Sequence, residues 1–412
     1  LMLKVLIPTA RRDILIGVNQ VIMVCFSMAV ISAFIGAKGL GFNLLLALNQ
    51  LNIGLALEAG LCISLIAILL DKMSLAWANK QTDYFGNLTF FQRNKNVIFF
   101  AASFVIGIIL AYVGTFIFKG SFNYLFEIPH NKGISTADFW NKGVDWIFDT
   151  FFIYIKAFNT WLIQDVLQPM RALYLRMPAV ATLVLAVGAG YLIGGIRSAL
   201  VVCALTLFIA LSPWWDRALV TLYMATFGVV ISCLIGFTVG TLCFQNKKSA
   251  AFMLGVCDIF QTFPSFVYLI PVMMLFGITD TSVLIAVVVY ATIPATRYTI
   301  EGLRSVPVGL HEAATMSGVN KFQRLTKIEF PLAFPHMMLG LNQTIVFALF
   351  MVIIGAFIGT EDLGQYILKA LSDKNGAGIG LTLGICVAFI GLIFDNLIRT
   401  WVNQRKKHLG IQ

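Results

Sequence analysis

The chain has 412 residues, of which 59% are hydrophobic and only 12% are charged, and its formal net charge is +10. Soluble domains carry about a quarter charged residues, so this composition excludes a soluble globular protein and indicates a polytopic membrane protein. A basic chain can also bind nucleic acid. Here the basic residues lie between apolar runs, as the positive-inside rule describes for membrane proteins, so we expect a lipid membrane and no nucleic acid as partner.

Apolar runs predict about ten membrane-spanning helices and therefore an all-α fold, since about 20 apolar residues cross the hydrocarbon core. In chain order, the predicted spans are 14–36, 54–76, 97–118, 177–194, 198–213, 217–243, 252–276, 282–300, 336–358 and 378–399. The run 177–213 is divided at Gly194, Gly195 and Arg197. Merging its two parts into one span would invert the orientation of every span before it.

Basic residues set the orientation of these spans. With ten spans, the basic clusters all fall on one side of the membrane, and the positive-inside rule makes that side the cytoplasm. Both termini are then cytoplasmic. The long stretch 119–176 falls outside, and its aromatic and aliphatic residues recur at helical spacing. It predicts an external amphipathic helix on the outer interface, or alternatively a soluble external helix hairpin.

The chain contains an internal repeat. Shifted by 323 residues, residues 8–41 overlie residues 331–364 without a gap, with Gly36 on Gly359 and Gly41 on Gly364 among the identical pairs. Eight predicted spans lie between Pro8, which starts the first copy, and Pro331, which starts the second, and an even number gives both copies the same orientation, so the repeat is parallel. We expect the natural polypeptide to continue upstream with the rest of a first unit. The alternative is that the first copy is a shortened pseudo-copy. The predicted division is 1–76 as the last two helices of an incomplete first permease unit, 77–96 as a cytoplasmic linker and 97–412 as a complete unit.

A polar, basic segment at residues 312–331 interrupts two apolar spans. It reads Glu-Ala-Ala, three residues, Gly, nine residues, Ile, two residues, Pro. This spacing resembles the cytoplasmic EAA loop of binding-protein-dependent ABC importer permeases, with Phe330 where Leu is usual. In that family the loop contains a short helix that sits in a groove of the ATPase subunit. The resemblance implies a coupling loop at 301–331, with coupling residues Glu312, Ala313, Ala314, Gly318, Ile328 and Pro331.

Two further segments narrow the resemblance. Residues 258–278 and 341–365 resemble the glycine betaine, proline and choline branch of these permeases. The resemblance implies a type I ABC importer permease in the bacterial inner membrane, for glycine betaine or a related methylated amine such as trimethylamine N-oxide, choline, carnitine or proline. It also implies separate ATPase subunits that use ATP and Mg, an external substrate-binding protein, and a second permease unit. That unit would be a second chain or an upstream fused half.

Candidate residues for the substrate path cluster around the span 252–276. A methylated amine carries a diffuse positive charge that aromatic faces attract, and helices broken near the membrane midplane often form transport sites. Pro264 and Pro271 are predicted breaks in this span. The predicted path residues are Gln261, Phe263, Phe266, Tyr268, Asn19, Gln20, Asn342 and Gln343. The alternative role for each is helix packing, because aromatic and amide side chains also hold helices together.

Asp258 lies in the same span, where an ionisable group is costly. A structural salt bridge and a role in substrate transport both fit it.

Motifs for catalysis and for metal binding are absent from the sequence. It has no GxxxxGK[ST] phosphate loop, and its four histidines and seven cysteines are scattered without ligand spacing. We therefore expect a transport subunit rather than an enzyme, with no cofactor or metal bound directly. The alternative functions are a secondary transporter or a channel for small cationic or zwitterionic solutes, neither of which needs an EAA segment.

Overall fold

The computed structural model describes residues 2, 14, 21, 25, 28–50, 52–78, 95–116, 135–263, 265–356 and 359–409. Every regular element within these ranges is helical, which confirms the all-α prediction. Asn19, Gln20, Pro264 and nearly all of the predicted linker lie outside the described residues. So do 11 of the 23 residues of the first predicted span.

The helices are numbered in chain order. They are α1 Leu40–Asn49, α2 Ile53–Ala78, α3 Lys95–Phe116, α4 Ala137–Trp161, α5 Gln168–Leu175, α6 Ala179–Leu211, α7 Trp215–Phe244, α8 Lys247–Thr262, α9 Phe266–Phe276, α10 Asp280–Arg304, α11 Val308–Met316, α12 Lys321–Arg324, α13 Phe330–Gly355, α14 Leu363–Ser372 and α15 Ala377–Leu409. Among the described residues, six helical segments are long and apolar enough to cross a membrane, and the bent pair α8–α9 is a seventh if counted as one span.

The segment α6 reverses direction at Gly195, where the backbone leaves the helical region with φ 67° and ψ −163°. A Cβ on Gly190 would lie 3.1 Å from the Cα of Ala199, although nine residues of straight helix advance about 13.5 Å. The two arms of α6 therefore pack antiparallel, and both ends of the segment lie on one side of the membrane. This supports the predicted division of the run 177–213.

Small residues bring the central helices close together. The middle helix is α10, which packs against α7 on one side and α13 on the other. A Cβ on Gly228 of α7 would lie 2.5 Å from Val287, and one on Gly355 of α13 would lie 2.4 Å from Val283. Without a hydrophobic driving force between helices in lipid, such close backbone approach is what holds a bundle together.

The internal repeat is visible in the structure. Helices α1 and α14 begin and end at positions 323 residues apart, and the preceding turns have positive φ at Gly36 (90°) and Gly359 (92°). A Cβ on Gly41 would lie 3.0 Å from the Cα of Val30, and a Cβ on Gly364 would lie 3.0 Å from the Cα of Ile353. The same close contact at matched positions confirms the internal repeat. The sequence prediction had missed both short helices.

Within the stretch 119–176, predicted to be external, the described residues form the amphipathic helix α4, which continues through a π-helical turn, Leu162–Leu167, into α5. Residues 137–175 thus form one run of helix, with no hairpin in this described part of the stretch. Its polar side chains fix it to neighbouring helices: the backbone N–H of Gly54 donates to Asn141 Oδ1 at 2.7 Å, and Asn159 Nδ2 donates to the carbonyl oxygen of Phe276 at 3.2 Å. Large apolar side chains such as Ile153 and Tyr154 remain exposed.

The reversal at Gly195 is testable by Gly195→Ala. Its backbone conformation is almost confined to glycine, so alanine should destabilise the protein by about 1–3 kcal/mol. A Cβ there meets nothing within 4 Å, so the loss is backbone strain alone. The matched control is Gly188→Ala, in open space within the same segment, where alanine is favoured. In thermal unfolding measured in detergent, only Gly195→Ala should have a lower midpoint temperature than the native protein. Equal midpoints would contradict the reversal.

Candidate functional site

The predicted span 252–276 is broken into two arms. Helices α8 and α9 meet at an angle of 91°, and Phe263 leaves the helix with φ −74° and ψ 133°. The predicted break between the arms is therefore confirmed. The predicted break at Pro271 is wrong, because this residue lies inside α9, whose other backbone hydrogen bonds continue around the missing proline N–H.

A tyrosine closes the corner between the arms. The hydroxyl of Tyr268 donates to the backbone carbonyl oxygen of Phe260, which belongs to the last turn of α8, where carbonyls lack partners within the helix. Tyr268 is 7% exposed and Phe266 is completely buried. Both side chains thus form part of the packed corner, and contact with a solute would need a rearrangement.

A row of aromatic rings runs from this corner into the bundle. The ring centroids of Phe260 and Phe263 are 6.0 Å apart, and those of Phe260 and Tyr268 are also 6.0 Å apart. Tyr268 continues to Tyr290 at 5.4 Å, and Tyr290 stacks on Phe347 at 4.7 Å. The row connects α8, α9, α10 and α13. Sequence reasoning missed Tyr290 and Phe347, since nothing distinguishes these two from other aromatics in apolar runs.

A polar cluster lies on the same arm of the broken span. Arg297 Nη1 donates to Asp258 Oδ1 and to Gln261 Oε1, both at 2.8 Å, and Arg297 Nε donates to Glu301 Oε1 at 3.0 Å. We call these four residues the Arg297 cluster. The side chain of Asp258 is 55% exposed, and it lies about 16 Å along α8 from Lys247. An exposed carboxylate at that depth belongs against a water-filled space rather than lipid.

The predicted amide residues on α13 have a different environment. Asn342 is 8% exposed, and its Nδ2 donates to Asp395 Oδ1 at 2.8 Å, while Arg399 Nε donates to the same oxygen at 2.7 Å. Asn342 therefore holds α13 against α15, the packing role that amides often have in membranes. Its neighbour Gln343 is half-buried.

The EAA segment folds as a helix, a tight turn and a second helix. Helix α11 ends with the N–H of Val319 donating to the carbonyl oxygen of Ala314 and the N–H of Gly318 donating to that of Thr315, both at 3.1 Å. This is the Schellman pattern, which places a left-handed residue after the helix, and Gly318 has φ 72°. A capping box at Asn320 then starts α12, which continues through Leu325–Glu329 into the membrane helix α13.

Within this segment, the six predicted coupling residues differ in exposure. Glu312, Ala313 and Gly318 are exposed, Ala314 is buried, and Ile328 and Pro331 are half-buried at the start of the long helix. The buried alanine fixes one side of α11, because it also accepts the hydrogen bond of the turn. The exposed members leave the other side of α11 free to contact another molecule.

Two arginines and two acidic residues fix the loop before α14. Glu361 accepts hydrogen bonds from Arg171 at 2.7 Å and from Arg217 at 3.2 Å, and these bonds lower the pKa of Glu361. Asp362 caps α14 by accepting from the N–H of Gln365 at 3.0 Å. Burial raises the pKa of Asp362 to about 7 even so.

A cavity of about 410 Å³ separates the first repeat copy from the broken span. Its lining is mostly apolar and comes from α1, α2, α9 and the turns beside them. The lining residues are Ala47, Leu48, Asn52, Ile53, Ala56, Ile270, Met273, Met274, Gly277 and Ile278.

Comparison with known proteins assigns the family. Residues 228–408 match the family described as binding-protein-dependent transport system inner membrane component. Over 197 residues the chain is 32% identical to the glycine betaine transport system permease protein OpuAB of Bacillus subtilis, covering 48% of this chain and 69% of that protein. The chain belongs to this family.

Two longer relatives match this chain over almost its whole length. It is 88% identical to the trimethylamine N-oxide transport system permease protein TmoV of Pelagibacter ubique, over 100% of this chain and 57% of that protein. It is 40% identical to the protein of the same name from Ruegeria pomeroyi, over 99% of this chain and 61% of that protein. The chain thus spans about three fifths of the length of these two relatives.

In this inner membrane component, the predicted path residues differ in how far their side chains are buried. Gln261 and Phe263 are half-buried beside the corner of the broken span, whereas Phe266 and Tyr268 lie in the core. Arg297 was known from the sequence only as a basic residue near the EAA segment. Its hydrogen bonds to α8 bridge 36 to 39 residues of sequence, so no local pattern could indicate them.

The corner between α8 and α9 is testable by Tyr268→Phe. The change should leave the Phe260 carbonyl without its partner and cost about 1–3 kcal/mol. We expect a lower thermal midpoint and faster amide hydrogen exchange at the corner. Tyr154→Phe, on a residue that is 74% exposed, is the matched control and should change neither. An unaltered exchange rate in Tyr268→Phe would show that the hydroxyl does not close the corner.

Proposed function

We propose that this chain is the membrane permease of an ATP-driven importer for trimethylamine N-oxide or a related methylated amine. Glycine betaine, choline, carnitine and proline are the other solutes of this class that we consider. The observation that carries the proposal is the 88% identity, over the full length of this chain, to a protein named as a trimethylamine N-oxide transport system permease. The folded EAA segment supports the dependence on ATP.

The surface of the EAA segment is suited to an ATPase subunit. Met316 is 92% exposed, Phe322 is 73% exposed and Val308 is 69% exposed, although they lie in the polar segment between the predicted spans 282–300 and 336–358. Apolar side chains grouped on such a surface mark a site of protein interaction. We propose that the ATPase covers them and binds ATP and Mg itself, and that Glu312, Ala313 and Gly318 contact it or shape the contact.

A second permease unit is proposed from the repeat. In the second copy, helices α7 and α10 of the same unit pack against the repeated elements. Several positions buried in the second copy are exposed in the first. The pairs are Val21 at 61% with Thr344 at 0%, Met28 at 47% with Met351 at 0%, and Leu40 at 40% with Leu363 at 0%. We propose that equivalent helices of another unit cover the first copy, supplied by a second chain or by the rest of a longer polypeptide.

We propose that residues 1–76 are the end of a first permease unit and that residues 97–412 are a complete second unit. Residues 77–96 would be the linker that joins them. We propose that the coupling loop and both termini lie in the cytoplasm, because the basic residues follow the positive-inside rule, and the reversal at Gly195 supports this orientation.

The route for the solute is proposed along the broken span. The aromatic row offers faces that attract a methylated cation without a full counter-charge, which permits release. The exposed Asp258 carboxylate places the Arg297 cluster beside a water-filled space, and Gln261 of this cluster and Phe263 of the aromatic row are both half-buried at the corner. An external binding protein would then supply high affinity, leaving weak and transient contacts to the permease.

Reconstitution tests the proposed activity. The complete transporter, with its ATPase and binding protein, should accumulate labelled trimethylamine N-oxide in liposomes only when ATP is supplied on the ATPase side. Glycine betaine, choline, carnitine and proline should be compared in the same vesicles. Omission of the binding protein should reduce uptake to background. Uptake that follows an ion gradient without ATP would instead identify a secondary transporter.

The turn after α11 is testable by Gly318→Val. A β-branched residue at φ 72° is strained by about 1–3 kcal/mol, so it should displace the coupling helix. We expect uptake to fall about tenfold while membrane insertion is unchanged. Gly318→Asn is the matched control, because asparagine tolerates the left-handed region. The coupling role is refuted if Gly318→Val transports as well as Gly318→Asn.

A further inference from the structure

We infer that Arg297 is a positioning residue that transmits movement of the coupling loop to the broken span. The inference rests on the proposed function, since it concerns the conformational step of an ATP-driven importer. It assigns to the Arg297 cluster a role in transport that does not require contact with the solute.

The first link runs from the coupling helix to Arg297. Helix α10 ends at Arg304 and only three residues separate it from α11. The backbone N–H of Ser305 donates to the carbonyl oxygen of Glu301 at 2.9 Å, which fixes the connection to the end of α10. The side chain of the same Glu301 holds Arg297. A displacement of α11 therefore reaches Arg297 through one turn of helix and one ion pair.

The second link runs from Arg297 to the end of α8. Glu301 holds the Nε edge of the guanidinium, and the planar group then directs Nη1 at both Asp258 and Gln261. A lysine ammonium lacks this fixed geometry. Asp258 and Gln261 occupy the last turns of α8 before the break. Arg297 thus holds the end of the arm whose direction changes by 91°.

The third link runs from α8 to the cavity beside the first repeat copy. Tyr268 on α9 donates to the Phe260 carbonyl on α8, so the second arm follows the first. Helix α9 packs against α2, and Ile270 and Met273 of α9 line the cavity with Ala56 of α2. Rotation of the corner would therefore change the space between the first repeat copy and the broken span.

The energetics suit a contact that breaks and re-forms. The Arg297 side chain is 31% exposed and that of Asp258 is 55% exposed. Ion pairs open to water contribute little net stability, so separating this pair costs little in each cycle. A buried pair would instead lock the helices, because an unpaired buried charge is strongly unfavourable.

Two readouts on the reconstituted complex test the inference. The first is the number of solute molecules transported per ATP hydrolysed. Arg297→Met should lower this ratio at least about fivefold, while hydrolysis stimulated by the loaded binding protein continues. The matched control is Arg399→Met, because Arg399 pairs with Asp395 four residues earlier on its own helix and bridges no two elements itself. That control should retain the native ratio.

The second readout needs no transported solute. Cys257 is 4% exposed, and its Sγ lies 3.9 Å from the carbonyl oxygen of Ile293, between α8 and α10. In the native complex, its modification by a maleimide, followed by peptide mass spectrometry, should change rate between nucleotide-free and ATP-trapped states. Arg297→Met should abolish that difference, and Arg297→Lys should reduce it. Arg399→Met should preserve it.

The outcomes separate the inference from the proposed function. If Arg297→Met and Arg297→Lys both keep the nucleotide-dependent change at Cys257, Arg297 does not transmit the movement and the inference is overturned. If Arg297→Met does not assemble, Arg297→Lys and Asp258→Asn decide by the same readout. If the native complex transports no methylated amine but Cys257 responds through Arg297, the inference stands and the proposed substrate is wrong.

Discussion

A helix that breaks inside a membrane exposes backbone carbonyls that hydrocarbon cannot solvate. The corner between α8 and α9 meets this constraint with one side chain, the Tyr268 hydroxyl on the Phe260 carbonyl. The aromatic row and the Arg297 cluster are both arranged around that corner. Had the span been continuous, Gln261 and Phe263 would lie on an ordinary helix face, and α9 would not turn toward the first repeat copy.

The two repeat copies share a backbone but not their chemistry. The turns at Gly36 and Gly359 match in φ, yet the residues that follow differ. Glu361 and Asp362 fix the second copy to two arginines and to the start of α14. The matched positions in the first copy hold Lys38 and Gly39. The same asymmetry holds for Glu58, which accepts from Ser135 at 2.8 Å: in this region the second copy has one more residue, and the matched position is Thr382. A complete transporter built on this repeat would therefore present two unlike halves to its solute.

Several features could be predicted because they depend on local sequence. Apolar runs gave spans that overlap α2, α7, α10, α13 and α15 over most of their length, and glycine at 318 is compatible with the turn observed there. Other features could not. Helix α14 is too short and too polar to register as a span, and Pro271 was taken for a break although α9 accommodates it. For Asn342 the sequence left both the solute path and helix packing open, and only the structure shows its hydrogen bond to Asp395 on another helix.

The sequence alone determined the membrane class, the all-α fold, the partial repeat and the EAA spacing. Each follows from composition or from the spacing of residues along the chain, and neither requires knowledge of which helices are neighbours. The tertiary structure alone decided which polar groups meet. Arg297 reaches Asp258 across 39 residues, and Arg171 reaches Glu361 across 190. Such contacts depend on how closely and at what angle helices approach one another, and no linear pattern records that geometry.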